Sequence, residues 1–419
     1  MNDGSADSKP WDVPAARHLY HIDRWGASYF DINDEGHVVA MPLQETGARV
    51  DLTDVVEEAR ARGLRFPLLI RFQDILRHRV ESVNEAFRSA IAEFDYQGTY
   101  QGVFPIKVNQ LREVVEEILD AGKPYRFGLE VGSKPELLAG LALQADEGDL
   151  IICNGYKDPT FIRMALMGRK LGRNVIMVVE KLEELKQIIA VSRQVGVEPH
   201  LGIRCRLLCK GAGKWAESAG ENAKFGLSTV ELVAATRLLQ DEGLAHCFQL
   251  LHFHIGSQVP DILTVKKAVQ EAARFYAKLH QIGFPITYLD VGGGLGVDYD
   301  GSRSAFDSST NYSLQEYAND VVYYVADVCN AERVPHPVIV SESGRAVVAH
   351  HSVLIVEVFG AIAKIRPDMP LTYGDNEHAL VRELLDIRRN LGRLNKLEAD
   401  RFDKGVVRHL FGIQQAAFP

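Results

Sequence analysis

The sequence predicts an α/β chain organised as a (β/α)8 barrel with a partial β-rich second domain. Three observations carry that reading. Eight short apolar runs recur at 102–108, 126–131, 150–154, 174–179, 201–207, 248–255, 287–291 and 338–341. Helix-like segments lie between them, among them 112–119, 134–144, 161–171, 182–195, 229–240, 264–279 and 314–329. Eight buried-type strands alternating with helices is the count of a closed barrel. A doubly wound sheet is the competing architecture, but it lacks its glycine fingerprint at the first turn.

Taken in order, residues 1–14 read as a disordered tail. Residues 15–72 read as N-terminal strands of the β-rich domain. Within them, alternating apolar residues on either side of Asn33-Asp34-Glu35-Gly36 predict a β-hairpin. Residues 51–62 read as a helix and 66–72 as a strand. Ile75, Leu76, Val80, Val83, Phe87 and Ile91 recur at helical spacing, which predicts an amphipathic helix over 75–94. The barrel is assigned to 73–345. The long β-branched run 346–363 reads as strands, so 346–375 is assigned to the start of the β-rich domain. Residues 376–419 read as a helical C-terminal segment with an atypical end, on the apolar spacing of Leu380, Val381, Leu384, Leu385, Ile387 and Leu391.

Composition narrows the class of partner. The 419 residues carry a net charge of −9, with basic and acidic residues interspersed. That is not the clustered basic footprint of a nucleic-acid binder. The five cysteines, Cys153, Cys205, Cys209, Cys247 and Cys329, contain no C-x-x-C pair and read as reduced thiols. No apolar run of about 18 residues is present to span a membrane. The polar N-terminus lacks the hydrophobic region of a secretory signal. A cytoplasmic protein is expected, with a small-molecule substrate.

Chemistry in a barrel belongs where strands end and loops begin. The seventh run ends in Leu289-Asp290-Val291-Gly292-Gly293-Gly294-Leu295-Gly296-Val297-Asp298, four glycines within five residues. Without Cβ atoms the backbone can approach a ligand and aim successive N–H groups at one anion. It is not G-x-G-x-x-G, since Val297 stands where a third glycine is needed. The stretch Leu289 to Tyr299 is a candidate substrate-binding segment. Lys107 lies in the apolar run Phe104-Pro105-Ile106-Lys107-Val108-Asn109-Gln110. Burial there would depress its pKa and give the neutral amine that Schiff-base chemistry needs; a lysine snorkelling to solvent is the plainer alternative. The second run ends in Glu130. In the sixth, alternation places His252 and His254 on one face, able to bind a metal or to stack on a planar ligand. No H-x-x-x-H or H-E-x-x-H pattern strengthens the metal reading. The eighth ends in Ser341-Glu342-Ser343-Gly344-Arg345, an acid beside a phosphate-compatible arginine. An amine, an imidazole, a carboxylate and an anion cradle together are the groups that would hold pyridoxal 5'-phosphate.

These motifs resemble the fold-type III pyridoxal-phosphate enzymes, whose barrel is alanine-racemase-like, and specifically the biosynthetic arginine decarboxylases. The resemblance runs from about Tyr20 to about Ala363. The segment around Lys107 resembles that family's cofactor-lysine motif, and Gly211-Ala212-Gly213-Lys214-Trp215-Ala216-Glu217-Ser218 through Lys224-Phe225-Gly226-Leu227 is similar to its insertion. It implies Lys107 as the cofactor-bearing lysine, His254 stacked on the ring and Glu342 at the pyridine nitrogen. Ser257, Gly292, Gly293, Gly294 and Arg345 would hold the phosphate. Glu130, Glu136 and Arg204 would support the lysine and ring. The implied reaction is L-arginine to agmatine and CO2, feeding polyamine biosynthesis, in a homo-oligomer with shared active sites. Magnesium is implied by the resemblance alone, and no spaced ligand cluster for it is present. The family's pattern continues beyond Pro419 with a Cys/Asp-containing segment that a partner subunit contributes, so the resemblance implies a C-terminally truncated chain. A diaminopimelate-type decarboxylase and a non-catalytic pyridoxal-phosphate-binding barrel stand as alternatives.

Overall fold

Runs of β-branched and other apolar residues, too short to bury themselves as helices, become the strands of the structure. The computed structural model describes residues 11–144, 148–209, 225–362 and 378–391. Helices α1 (Val13–Tyr20) and α2 (Ile22–Trp25) precede β1 (Phe30–Ile32), β2 (Val38–Ala40), β3 (Val50–Asp51), α3 (Leu52–Ala61) and β4 (Leu68–Arg71). Helix α1 begins inside the stretch read as a tail because Asp12 caps it, accepting from Ala15 N at 2.8 Å; residues 1–10 lie outside the described residues. The expected hairpin joins β1 to β2. Asn33 Oδ1 accepts from His37 N at 2.8 Å and Gly36 takes φ of 86°, a turn that suits glycine.

The alternation that follows is α4 (Gln73–Glu93), β5 (Tyr100–Pro105), α5 (Arg112–Gly122), β6 (Gly128–Val131), α6 (Lys134–Leu143), β7 (Leu150–Cys153), α7 (Pro159–Lys170) and β8 (Asn174–Val179). It continues through α8 (Leu182–Val195), β9 (His200–Arg204), α9 (Thr229–Asp241), β10 (Phe248–His252), α10 (Ile262–Gln281), β11 (Tyr288–Asp290), α11 (Leu314–Glu332) and β12 (Val338–Ser341). Strands β5 to β12 close into the predicted eight-stranded barrel. Every pairing is parallel, and β12 returns to β5 with Ile339 opposite Tyr100. Val103, Leu150, Ile152, Ile176, Val178, Leu250 and Val340 fill its interior. Gly202 leaves them room, since a Cβ there would lie 2.9 Å from the side chains of both Leu250 and Val178. The opposite strand faces pack on the helices through residues such as Ile118, Ile162, Ile188, Ala268 and Val321. Phe87 of α4 stacks on Tyr100 of β5 with ring centroids 3.8 Å apart.

Two strand-end expectations shift. Strand β5 stops at Pro105 and β10 at His252, so Lys107 and His254 stand beyond their strands. The run 346–363 is not a string of strands. Among its described residues it opens with α12 (Gly344–Val348), then gives one short strand, β13 (Ser352–Ile355). Ala346 and Val347 are buried against the barrel in that helical turn, which overrides their β-branched neighbourhood. Strand β13 pairs antiparallel with β4, Val353 opposite Ile70, so residues before and after the barrel meet in one small sheet. The chain divides into two compact units, Met1–Val356 and Glu357–Pro419. Of the second, the described part contains α13 (Ala379–Leu391). No helix among the described residues is long and apolar enough to cross a membrane.

A buried cation ties the loops at one end of β7 and β8. Lys157 Nζ donates to Val178 O at 2.5 Å, Gly155 O at 2.7 Å and Glu184 Oε1 at 2.8 Å. Lys157→Ala should therefore lower the unfolding free energy by about 3–5 kcal/mol, because Glu184 is left buried without its partner. A urea midpoint unchanged from wild type would show that the pair carries no stability.

Candidate active site

Barrel geometry delivers the ends of β5, β6, β7, β8, β9, β10, β11 and β12 to one face, and each of several ends presents a polar side chain. A cavity of about 410 Å³ opens there, lined by Lys107, His254, Ser257, Gly293, Gly294, Tyr299, Glu342 and Arg345 among others. The residues singled out from β5, β10, β11 and β12 thus converge on one space.

Lys107 stands in a one-turn 3-10 segment after β5, with its side chain 54% accessible in the open cavity. Its Nζ donates to Glu130 Oε2 at 2.9 Å. The expected depression of its pKa does not occur. Desolvation pulls the ammonium down, but Glu130, Glu342 and Glu136 together hold it above its ordinary value. Glu130 is fully buried at the end of β6, and burial with the nearby Glu342 charge pushes it up to about 7. Glu136 does not reach the lysine; its carboxylate accepts from Gly132 N at 2.7 Å and Gln110 Nε2 at 2.9 Å, bracing the turn after β6.

His254 follows β10 in an extended turn. Gly256 N donates to its Nδ1 at 3.0 Å, which places the ring proton of the neutral form on Nε2. Burial, with Arg204, His252 and Lys107 nearby, holds its pKa well below the usual range, so the ring is neutral. Arg204 does not line the cavity. Its guanidinium lies 3.5 Å from Glu180 Oε2 and over the Phe225 ring, and the rest of the insertion expected at 211–227 up to Lys224 lies outside the described residues.

The glycine run divides by function. Gly292 N donates to Asp290 Oδ1 at 2.9 Å and Gly296 N to Tyr312 Oη at 3.0 Å, so both are committed to the protein. Gly293 and Gly294 line the cavity, and a Cβ on Gly293 would come within 3.0 Å of His254 Nε2. Gly294 has φ of 115°, a conformation open to glycine. Of the remaining stretch, Leu295 and Tyr299 face the cavity, while Leu289 and Val291 are buried in the core between barrel and helices. Val297 N donates to Gln258 Oε1, and Asp298 Oδ1 accepts from Ser309 Oγ, which fixes the loop. Arg345 donates through Nη2 to Ser257 Oγ at 3.0 Å and through Nη1 to Tyr299 Oη at 2.9 Å.

Two residues escaped the reading of strand ends. Asn154, just after β7, donates to Glu342 Oε1 at 2.6 Å, and Glu180, just after β8, holds Arg204. Both occupy the position that flagged Glu130 and Glu342, so the same rule applied to every strand would have found them.

Several polar atoms around the site are buried without a directed protein partner: Glu130 Oε1, Asn154 Oδ1 and Arg345 Nε. Buried groups of this kind are costly unless a ligand or water satisfies them. An anion and a polar ring would complete them, so the residues fit a phosphorylated heterocycle. As for metal, the described residues hold two groups with clustered ligand atoms, exposed Glu198, His246 and buried Cys247, and buried His252, Asp290 and Glu342.

Comparison with known proteins bears on this site directly. The pyridoxal binding domain of the pyridoxal-dependent decarboxylases matches residues 80–349. The chain belongs to the pyridoxal-dependent decarboxylases. The family's cofactor class is therefore the one its residues were expected to hold. Among curated relatives, the chain is similar to the biosynthetic arginine decarboxylase of Phocaeicola vulgatus, 46% identical over 392 residues, covering 93% of this chain and 62% of the relative. That of Parasynechococcus marenigrum is 49% identical over 381 residues, 91% of this chain and 59% of the relative. The crystal structure of the biosynthetic arginine decarboxylase SpeA from Campylobacter jejuni is 32% identical with a TM-score of 0.73, covering 95% of this chain and 63% of that one. Diaminopimelate decarboxylase from Helicobacter pylori, 20% identical with a TM-score of 0.57 over 71% of this chain and 68% of that one, shares the fold. The chain spans about three fifths of the length of the curated relatives it matches.

The two high carboxyls give the decarboxylase barrel a pH signature. Glu130 and Asp290 are both pushed up to about 7 by burial, so each favours the folded state while protonated. That contribution is complete below the unfolded carboxylate range and is lost as pH rises through about 7. Glu130→Gln should flatten the fall in stability over that window, checked by urea midpoints at about pH 5 and 7. Parallel slopes in the two proteins would remove Glu130 from this account.

Proposed function

We propose that this chain is the cofactor-binding part of an arginine decarboxylase, converting L-arginine to agmatine and CO2 with pyridoxal 5'-phosphate. The observation that carries the reading is the convergence of Lys107, His254, Glu342 and Arg345 on one cavity in a chain 46–49% identical to biosynthetic arginine decarboxylases. When bound, the cofactor would supply an electron sink for the carbanion left by the departing carboxylate.

Each residue has a task that its surroundings favour. Lys107 would carry the cofactor through Nζ, and Glu130 is hydrogen-bonded to that atom, ready to hold or return its proton. The neutral ring of His254 offers a flat face without the charge that would repel a protonated heterocycle. Glu342 would pair with the ring nitrogen, kept in place by Asn154 and by its own N–H, which donates to Gly292 O at 2.8 Å. Arg345, Ser257, Gly293 and Gly294 would receive the phosphate, with Gly292 setting the shape of the turn rather than donating. Polyamine supply as the physiological role, and a homo-oligomer sharing sites, belong to the same proposal. Magnesium has no site assigned to it here.

Borohydride reduction of the pyridoxal-phosphate-loaded protein should fix the cofactor to Lys107, and a label on another lysine refutes the assignment. Released CO2 should favour L-arginine over ornithine and diaminopimelate, so a preference for a substrate without a guanidinium group sinks the substrate choice. Arg345→Ala should weaken cofactor affinity about tenfold or more, since a charge-assisted phosphate contact is lost. An unaltered dissociation constant takes Arg345 out of the phosphate site.

A further inference from the structure

Two buried ionisable residues beneath the cavity have no task in the scheme above. His252, at the end of β10, is 1% accessible, and Asp290, at the end of β11, is 0% accessible. The strands are neighbours in the barrel and the two residues are opposite one another in register. His252 Nδ1 lies 2.9 Å from Asp290 Oδ2 and 4.0 Å from Glu342 Oε1, the oxygen that also accepts from Asn154 Nδ2. Asp290 Oδ1 accepts from Gly292 N, which joins the same pair to the glycine turn. The approach of Nδ1 to Oδ2 is off-line, so neither atom has a directed partner. A ring nitrogen this close to both carboxyls can give a proton to either after a small rotation of the side chains.

The geometry points to His252 and Asp290 as positioning residues that share a proton with Glu342 and thereby set the charge and placement of the one member of the trio that faces the cavity. This rests on the proposed pairing of Glu342 with the cofactor ring. Neither His252 nor Asp290 lines the cavity, so they act through Glu342 and not on a ligand. Physical chemistry favours sharing. Two carboxylates and an imidazole taken out of water cannot all adopt their solution charges, and coupled groups of this kind titrate as a set. Burial raises Asp290 to about 7 and raises Glu342 also, while it lowers His252. The groups facing the trio are Lys107 after β5, Glu130 on β6, Glu180 after β8, Arg204 on β9 and His254 after β10. Tyr100 on β5 and Tyr317 on α11 also feel the Asp290 charge. Lys107 and Arg204 face Glu130 and Glu180 there, and Glu130 is itself pushed up to about 7, so the trio titrates together with it.

Coupling is reciprocal, and that makes the idea testable without cofactor. If His252 and Asp290 set Glu342, then Glu342 must set His252 by the same free energy. Ring ¹⁵N shifts of selectively labelled histidine report tautomer and protonation in the cofactor-free protein. Glu342→Gln and Asp290→Asn, both isosteric, should each change the His252 shifts across a pH series. In the pyridoxal-phosphate-loaded protein, His252→Gln and Asp290→Asn should move the midpoint of the cofactor's pH-dependent absorbance by about one unit or more. If His252→Gln does not fold, the Glu342→Gln spectrum, in which His252 is intact, decides. His252 shifts that are the same in wild type, Glu342→Gln and Asp290→Asn overturn the proposal. Failure of the wild-type chain to bind pyridoxal phosphate would instead strike the proposed function and leave the histidine measurement standing.

Discussion

Taking Glu130, Glu180, Asp290 and Glu342 out of water at the C-terminal ends of the barrel strands is the constraint to which the rest of the site conforms. Each is 5% accessible or less, and an isolated buried carboxylate is unstable. Their partners are spread around the ring of strands. Lys107 meets Glu130, Arg204 meets Glu180, and His252 with Asn154 meets Asp290 and Glu342. Only Lys107 and Arg204 among these partners carry a fixed positive charge, and the carboxyls around Lys107 make it keep its proton more firmly than a lysine in solution. Any ligand that engages Lys107 or Glu342 perturbs this balance, and the site's response to pH is set by the whole ring rather than by one group.

The barrel and most of the cavity were legible because their determinants are local. Strand runs and helix spacing repeat at short range, and the rule that chemistry sits at strand ends ties position to role without a structure. Lys107, His254, Glu342 and Arg345 were reached that way. Protonation was not legible, because it depends on residues far apart in the chain. Glu130 lies 23 positions from Lys107 and Asn154 lies 188 from Glu342. The depressed lysine expected from an apolar run is overturned twice, because the side chain stays half accessible in the cavity and three carboxylates that only folding brings near hold its proton. The run at 346–363 misled for a related reason. Its composition favours strand, yet burial of Ala346 and Val347 on the barrel fixes a helical turn first.

His252 and His254 show the same limit at finer scale. Alternation placed them on one face, but the strand ends between them, and their rings meet at 61° with centroids 6.5 Å apart. One turns down to the acids beneath the cavity and the other stays at its wall. A change of backbone direction over two residues separates a histidine buried among the acids from one in the cavity wall, and no periodicity in the sequence records it.

Placement of Arg345 depends on parts of the chain outside the barrel. It sits on α12, a helix of one turn that could not hold its own position. Arg79 of α4 donates from Nε to Ala346 O at 2.8 Å, and a Cβ on Gly344 would lie 2.8 Å from Val108, so the turn is pressed against both α4 and the lysine segment. Just beyond, Phe72 N donates to His351 O at 2.7 Å, and β13 pairs with β4. The small β4–β13 sheet and α4 therefore bracket α12 from two sides. Among the described residues those before β5 do not line the cavity, yet they brace the turn that places the Arg345 guanidinium in its wall. The N-terminal elements are in this sense part of the site, and the arginine's aim follows from their packing as much as from the barrel that carries the lysine.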